Sequence, residues 1–104
     1  MKIGSTPTHE FSIAPIPMSR VANVEITYKQ SGEIIFQKYL SDMQVNGERL
    51  TLTLTEEETF MFKDRKDVKI QPRIKTTTGE VIVGNIITVS ADECLSNKVM
   101  PSEN

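Results

Sequence analysis

The fold of this chain is best predicted from the segment Asp67-Val-Lys-Ile-Gln-Pro-Arg-Ile-Lys-Thr76. Its apolar residues occupy alternate positions, and polar or basic residues fill the positions between them. Because successive side chains of a β-strand point to opposite faces, the segment is predicted to be a strand with one buried face and one basic, solvated face. The buried face requires a second layer of apolar surface, which the rest of the chain has to supply.

Further short strands supply that surface. The alternation of apolar and polar residues predicts strands over 8–14, 21–29, 33–40, 43–45, 49–54 and 81–90. Tight turns separate them, above all at Asn46-Gly47, since both residues tolerate the positive φ of a hairpin turn. Pro15 and Pro17 end or kink the first strand, because neither can donate a backbone hydrogen bond. Gly84-Asn85 interrupts the last strand and predicts a bulge or bend there.

One helical turn is expected among the strands. Thr55-Glu-Glu-Glu58 has the pattern of a capping box, in which the threonine hydroxyl accepts from the amide three residues on and Glu58 reaches back. The carboxylates also suit the positive end of a helix. We therefore predict a short helical turn near residues 56–62, with Phe60 closing the open end of the core.

About seven short strands, spaced at roughly 8–12 residues, are typical of an immunoglobulin-like Greek-key β-sandwich. The predicted fold class is therefore all-β, and a small barrel is the competing architecture. With 104 residues, the chain has the size of one domain. We expect a loose N-terminal lead-in over 1–7, a single sandwich domain over 8–96 and a flexible C-terminal tail over 97–104.

The composition argues against several classes of function. Fourteen acidic and 12 basic residues give a formal net charge of −2, so the whole molecule has no strong field to attract DNA or an anionic membrane. The single cysteine, Cys94, and the single histidine cannot build a zinc site, and no metal or other cofactor is expected. No segment approaches the roughly 20 apolar residues that span a bilayer, and the N-terminus lacks the apolar run of a signal peptide. We expect a protein that is neither exported nor embedded in a membrane.

Catalytic groups do not come together in the sequence. His9 is assigned to the face of its strand opposite Phe11, as a surface histidine, and what His9 and Cys94 do stays open. No serine has a partner histidine in a known arrangement, and there is no glycine-rich phosphate loop. An enzyme is the least expected class, because no nucleophile, base and orienting group can be named together. No catalytic residue is predicted.

A possible contact surface for another protein lies on the strand at 33–40, which carries apolar residues on both faces. Ile34 and Phe36 are assigned to one face, and Ile35 and Tyr39 to the other. One of these faces belongs to the core. The other is either covered by a loop or exposed for contact with another chain, so Ile35 and Tyr39 are the candidate protein-interaction residues, together with an unpaired strand edge.

The alternative is a polyanion-binding surface for nucleic acid or an anionic glycan. Its candidate residues are Lys69, Arg73 and Lys75, on the basic face of the strand at 67–76. Acidic residues interrupt the preceding loop, and no aromatic side chain stands between the basic ones to stack on a nucleobase. Nucleic-acid binding is therefore not expected, and a solvated strand face is the simpler interpretation.

Several segments resemble small proteins encoded in phages and prophages of Gram-positive bacteria. These segments are Gly4-Ser-Thr-Pro-Thr8, Ile26-Thr-Tyr-Lys-Gln-Ser-Gly-Glu33, Leu52-Thr-Leu-Thr-Glu-Glu-Glu-Thr59, Val68-Lys-Ile-Gln-Pro-Arg-Ile-Lys-Thr-Thr-Thr-Gly79 and Asn85-Ile-Ile-Thr-Val89. The sandwich pattern is also similar to the amino-terminal domains of phage baseplate proteins. The resemblance implies a non-enzymatic structural or assembly protein, cytoplasmic in the bacterial host or incorporated in a phage particle. Its implied partners are other phage structural proteins or further copies of the chain.

Overall fold

The structure, a computed structural model, describes residues 1–101. The strands and the helical turn are β1 Thr8–Ser12, β2 Val21–Gln30, β3 Glu33–Tyr39, β4 Gln44–Asn46, β5 Arg49–Thr53, α1 Glu56–Thr59, β6 Asp67–Thr76, β7 Val81–Val83 and β8 Ile87–Ser90. Short 3₁₀ turns cover Met18–Arg20 and Leu40–Asp42. The predicted all-β class and the short helical turn are confirmed.

The strands form two antiparallel sheets that pack as a sandwich. The three-stranded sheet has the order β1-β5-β4, and the five-stranded sheet has the order β3-β2-β6, with β7 and β8 both pairing with β6. The long strands β2 and β6 lie side by side from Val21 opposite Thr76 to Gln30 opposite Val68. This pair forms the centre of the larger sheet and fixes which residues meet on its two faces.

The core lies between the sheets and consists of the alternate apolar residues of the long strands. Its members on β2, β5 and β6 and the residue following β5 are Val24, Ile26, Tyr28, Leu50, Leu52, Leu54, Val68 and Ile70. The inward faces predicted for these segments are confirmed. The capping box is also present, because Thr55 Oγ1 accepts from the Glu58 amide at 3.1 Å and Glu58 Oε1 accepts from the Thr55 amide at 2.9 Å.

A β-bulge in β3 overturns the predicted faces of that strand. Tyr28 stands opposite Phe36, whereas the next residue of β2, Lys29, stands opposite Ile34, so Ile35 is the extra residue. Ile34 therefore points outward and Phe36 points inward. Ile35 is half-buried and packs against the core. The prediction that Ile34 and Phe36 share a face is wrong, because the bulge interrupts the alternation between them.

The interruption of the last predicted strand lies opposite Pro72. The chain divides into β7 and β8 around Gly84, whose amide donates to the Pro72 carbonyl at 2.9 Å. In an antiparallel strand the N–H and C=O of one residue point to the same side. The N–H that Pro72 lacks would therefore also point toward Gly84, at the break between β7 and β8. Proline is accommodated in this central strand because the neighbouring strand is interrupted opposite Pro72, where a ladder hydrogen bond from proline would otherwise be missing.

The first residues are anchored, which differs from the expected loose lead-in. Lys2 forms a parallel bridge with Asp92, Ile3 is buried, and the Met1 ammonium donates to the Ser90 carbonyl at 2.9 Å. Gly4 has a φ of +81°, which favours glycine, and a Cβ atom there would lie only 3.0 Å from Phe60 Cζ and 3.1 Å from Cys94 Sγ.

The C-terminal segment of the described chain has no regular structure. Residues 97–101 form neither strand nor helix, and the Met100 amide donates to Glu56 Oε2 at 2.9 Å. The last three residues of the predicted tail, 102–104, lie outside the described residues. Within 1–101, no helix has the length and apolar character needed to cross a bilayer.

Candidate functional site

The outer face of the five-stranded sheet carries a surface of mixed charge and apolar character. Residues directly opposite one another in an antiparallel pair share a face, so the outward positions follow from the buried ones. The charged residues that point outward from β2 and β6 are Glu25, Lys29, Asp67, Lys69, Arg73 and Lys75. Four are basic and two are acidic, so this face has a local excess of two positive charges, although the whole chain carries −2.

Two lysines face each other on this surface. Lys29 of β2 lies directly opposite Lys69 of β6, and both side chains are exposed. Within residues 1–101, neither ammonium has a carboxylate at ion-pair distance. Like charges directly opposite in a sheet reduce its stability. A local arrangement that opposes folding is typical of a binding surface.

Arg73 differs from these lysines because its charge is already paired. It lies opposite Glu25, and its Nε and Nη2 atoms donate to the two Glu25 oxygens at 3.0 Å and 3.2 Å. This bidentate geometry is the strongest form of a charge pair between side chains. The pair separates Lys69 from Lys75 along the outer face, so the basic surface is not continuous.

Exposed apolar side chains lie between the charged ones. These residues, which are 39–58% exposed, are Ile34, Tyr39, Val81, Val83 and Ile86. Tyr39 stands opposite Glu25, and Val83 stands opposite Arg73. Large apolar side chains gathered on one face among charged residues are typical of protein contact surfaces. We call this set the outer apolar residues.

The outer face has a groove at each end. The larger, of about 380 Å³, is lined by Thr27, Lys29, Ser31, Gly32, Lys69, Gln71 and Ile86. We call it the lysine groove. The smaller, of about 220 Å³, includes Tyr39, Glu25, Arg73 and Val81 in its lining. The Glu25–Arg73 pair therefore lines the smaller groove and is absent from the lining of the larger one.

The structure separates the two predicted protein-interaction residues. Tyr39 lies on the outer face, whereas Ile35 packs against the core at the bulge. The three predicted polyanion-binding residues, Lys69, Arg73 and Lys75, do share the outer face. Sequence reasoning missed Lys29 as the partner of Lys69, although its outward position on β2 was predicted, because the pairing of strands 40 residues apart is not visible in a local pattern.

The placement of His9 is a correction. Residues two apart on a strand share a face, so His9 points inward with Phe11 and lies opposite the buried Leu52. Its Nδ1 atom is 2.7 Å from the hydroxyl of the buried Tyr28. Partial burial, with a smaller contribution from the N-terminal ammonium, lowers the pKa of His9. The prediction of a surface histidine is therefore wrong.

A charged pair, Lys38 with Glu58, lies close enough to Tyr28 to affect its hydroxyl. Lys38 points to the inner side of the sheet, opposite the buried Ile26, and pairs with Glu58 of α1. Its ammonium also lies 5.6 Å from the centroid of the Phe36 ring. Partial burial opposes ionisation of Glu58, but hydrogen bonds from Lys38 and the Thr55 amide outweigh it and lower the pKa of that carboxyl. Burial and the charge of Glu58 in turn raise the pKa of Tyr28, which keeps its hydroxyl protonated.

Within residues 1–101, no three side chains of His, Cys, Asp or Glu lie close enough together to bind a metal ion. The comparisons with protein-family models, with curated protein sequences and with solved structures found no match to this chain.

Proposed function

We propose that this protein is a non-enzymatic interaction module that binds another protein through the outer face of its five-stranded sheet. The observation that supports this proposal is the set of outer apolar residues interleaved, on one face, with lysines that have no carboxylate partner within residues 1–101. A face of this composition combines apolar area for affinity with charge for orientation. The resemblance to phage proteins suggests the setting, a structural or assembly protein of a phage or prophage.

The face is a better contact surface than the edge of β3. Two features of β3 oppose pairing with a strand of another chain, namely the bulge at Ile35 and the inward-pointing charge of Lys38. Both are devices by which natural sheets protect their edges. We therefore place the contact on side chains of the outer face and leave the unpaired edge out of the proposal.

The same face supports polyanion binding less well. Arg73, one of the three predicted basic residues, is held in a bidentate pair with Glu25. A nucleic-acid backbone needs a continuous basic track, and aromatic side chains usually stack on its bases. Tyr39 is the one aromatic residue among the outer apolar residues, and it lies opposite Glu25.

Light scattering of the purified protein over a range of concentrations tests the proposal first. If the chain self-associates, we expect the double variant Tyr39→Glu, Val83→Glu to lower the measured mass to that of the monomer. Val45→Glu is the matched control, because Val45 is also an exposed valine but lies on β4 of the other sheet. Its association should equal that of the unchanged protein.

If the chain is monomeric at all concentrations, the same variants are compared in a second measurement. Immobilised protein would be exposed to lysate of a phage-producing Gram-positive culture, and bound proteins would be compared between variants by mass spectrometry. The proposal requires a partner that Val45→Glu retains and that Tyr39→Glu, Val83→Glu loses. Equal retention by both variants, without self-association, would contradict it.

A further inference from the structure

We infer that the lysine groove recognises a carboxylate on an acidic segment of the partner protein, an inference that rests on the proposed function. The receiving groups are the ammonium ions of Lys29 and Lys69, which approach from neighbouring strands. Side chains two positions apart in an extended segment share a face, so apolar residues two positions before and after the acidic one would pack against the same surface. One would contact Ile34, which stands opposite Lys29, and the other Ile86, which lines the groove on the side of Lys69. The inferred occupant is therefore an extended stretch with an acidic residue flanked, two positions away on each side, by apolar ones.

The first support is the register of the sheet. Side chains directly opposite across a pair of strands have Cβ atoms about 5 Å apart, so the two lysines can reach a single carboxylate between them. Bringing an anion there relieves their mutual repulsion as well as adding two charge-assisted hydrogen bonds. The free energy gained on binding an anion is thus larger than at an isolated surface lysine, whose ammonium is fully solvated and has no like charge beside it.

The second support is the isolation of this positive site. Along the outer face, Asp67 precedes Lys69, and the pair of Arg73 with Glu25 follows it. Positive charge is therefore concentrated at one point and bounded on both sides by carboxylates. Such a site suits one or two acidic side chains at a defined position. It does not suit a phosphate backbone, which presents a charge at every nucleotide and needs positive charge along its length.

The third support is the mixed character of the groove wall. Ile86 is more than half exposed and lies in the groove with both lysines, and Ile34 is similarly exposed on the adjoining strand. Free phosphate or a simple anion would leave these side chains in water. An acidic peptide with apolar neighbours would cover them and exclude water from the ion pair, which strengthens it.

The test uses the ¹⁵N-labelled full chain and three probes. These probes are a capped pentapeptide with a central glutamate, serine on either side of it and leucine at both ends, the same peptide with glutamine in place of glutamate, and a single-stranded oligothymidylate. We expect the acidic peptide to shift the amide signals of Lys29, Ser31, Gly32 and Lys69. Lys29→Gln with Lys69→Gln should weaken its binding at least about tenfold, as for loss of a charge-assisted hydrogen bond. Lys75→Gln, on the same face beyond Arg73, is the matched control and should bind as the unchanged protein does.

Four results with these probes would each overturn the inference. They are no binding of the acidic peptide, equal binding of the glutamine peptide, equal weakening by Lys75→Gln, and tighter, strongly salt-dependent binding of the oligothymidylate. The last outcome would favour a nucleic-acid surface. Failure here is distinguishable from failure of the proposed function, because Tyr39→Glu, Val83→Glu acts on the other end of the face. If that variant loses its partner and the double lysine variant keeps it, the proposed function stands and the inference fails.

Discussion

The Nδ1 atom of His9 on β1 and the hydroxyl of Tyr28 on β2 lie 2.7 Å apart, so a single hydrogen bond joins the two sheets through the chain's only histidine. The rings also stack, with centroids 5.7 Å apart. Tyr28 in turn contacts Phe36 and Phe62, whose centroids are 4.8 Å and 6.2 Å away. The histidine is thus part of the aromatic packing that holds β1 on the larger sheet, and its charge state affects that packing.

This arrangement predicts a loss of stability in mild acid. The folded pKa of His9 lies below its ordinary value of 6.5, because burial disfavours the charged ring. The unfolded chain therefore binds a proton more readily, and stability falls as pH drops through about 6.5. Urea unfolding at pH 7.5, 6.5 and 5.5 measures this. His9→Gln should remove the dependence in that window, whereas Glu58, whose pKa is lowered by its hydrogen bonds from Lys38 and the Thr55 amide, titrates below it. An unchanged dependence in His9→Gln would contradict the prediction.

The lysine pair predicts a substitution that stabilises the fold. Lys29→Gln removes the repulsion between Lys29 and Lys69, and we expect the free energy of unfolding to rise by about 0.2–1 kcal/mol. The gain should shrink in high salt, because salt screens exposed charges. Denaturant titrations in low and high salt measure both effects, with Lys75→Gln as the control. A loss of stability at low salt would show that the two ammonium ions do not repel.

Substitution of the polar residue Gln30 is predicted to lower the free energy of unfolding substantially. Its buried side chain donates to the Lys63 and Lys66 carbonyls at 2.6 Å and 3.0 Å and accepts from the Lys63 amide at 2.8 Å. Gln30→Leu would leave these loop groups without partners and should cost about 1–3 kcal/mol. The exposed Gln37 is the control, since Gln37→Leu should change stability by less than about 0.5 kcal/mol. Hydrogen exchange at the Lys63 amide would report the same difference, and equal costs would refute the role of Gln30.

The contact between Gly84 and Pro72 predicts a coupled pair. A Cβ atom at Gly84 would meet Pro72 Cγ at 2.7 Å, closer than van der Waals contact allows. Gly84→Ala should therefore destabilise the fold by about 1–3 kcal/mol, the usual cost of overpacking. Pro72→Ala in the same chain removes the clashing atom and should recover part of that loss. A double-mutant cycle measures the coupling, and strictly additive effects would contradict the prediction.

The sequence predicted those parts of the fold that local patterns control. Alternation in β2, β5 and β6 and the capping box at Thr55 each depend on residues close in sequence. The hairpin between β4 and β5 was also predicted, but its turn residues are Gly47 and Glu48, because Asn46 pairs with Arg49 at the end of β4. The same rule of alternation would have placed His9 correctly beside Phe11, since positions 9 and 11 share a face.

The remaining differences depend on contacts between distant residues. The bulge at Ile35 allows Phe36 to pack against Tyr28 and Phe62, and Phe62 is 26 positions further along the chain. Lys38 points inward, and its ammonium forms an ion pair there with the Glu58 carboxylate. The outer face was predicted to be basic, but its two-lysine centre appears only once β2 is aligned with β6. The sequence showed a proline within a predicted strand, where it lacks a donor for the ladder. Its accommodation became clear only from the position of the break between β7 and β8, opposite Pro72.

The break at Gly84 also divides the border of the larger sheet into two pieces of unequal strength. β7 is held by three paired positions, whereas β8 is held by four and contributes the half-buried Val89 to the core. Strand segments with few buried contacts open locally without global unfolding. We therefore expect β7 to open locally more readily than β8, so that Val81 and Val83 would adjust their positions more easily than the strand beside the lysine groove. The outer face would then have one adaptable end and one more firmly held end.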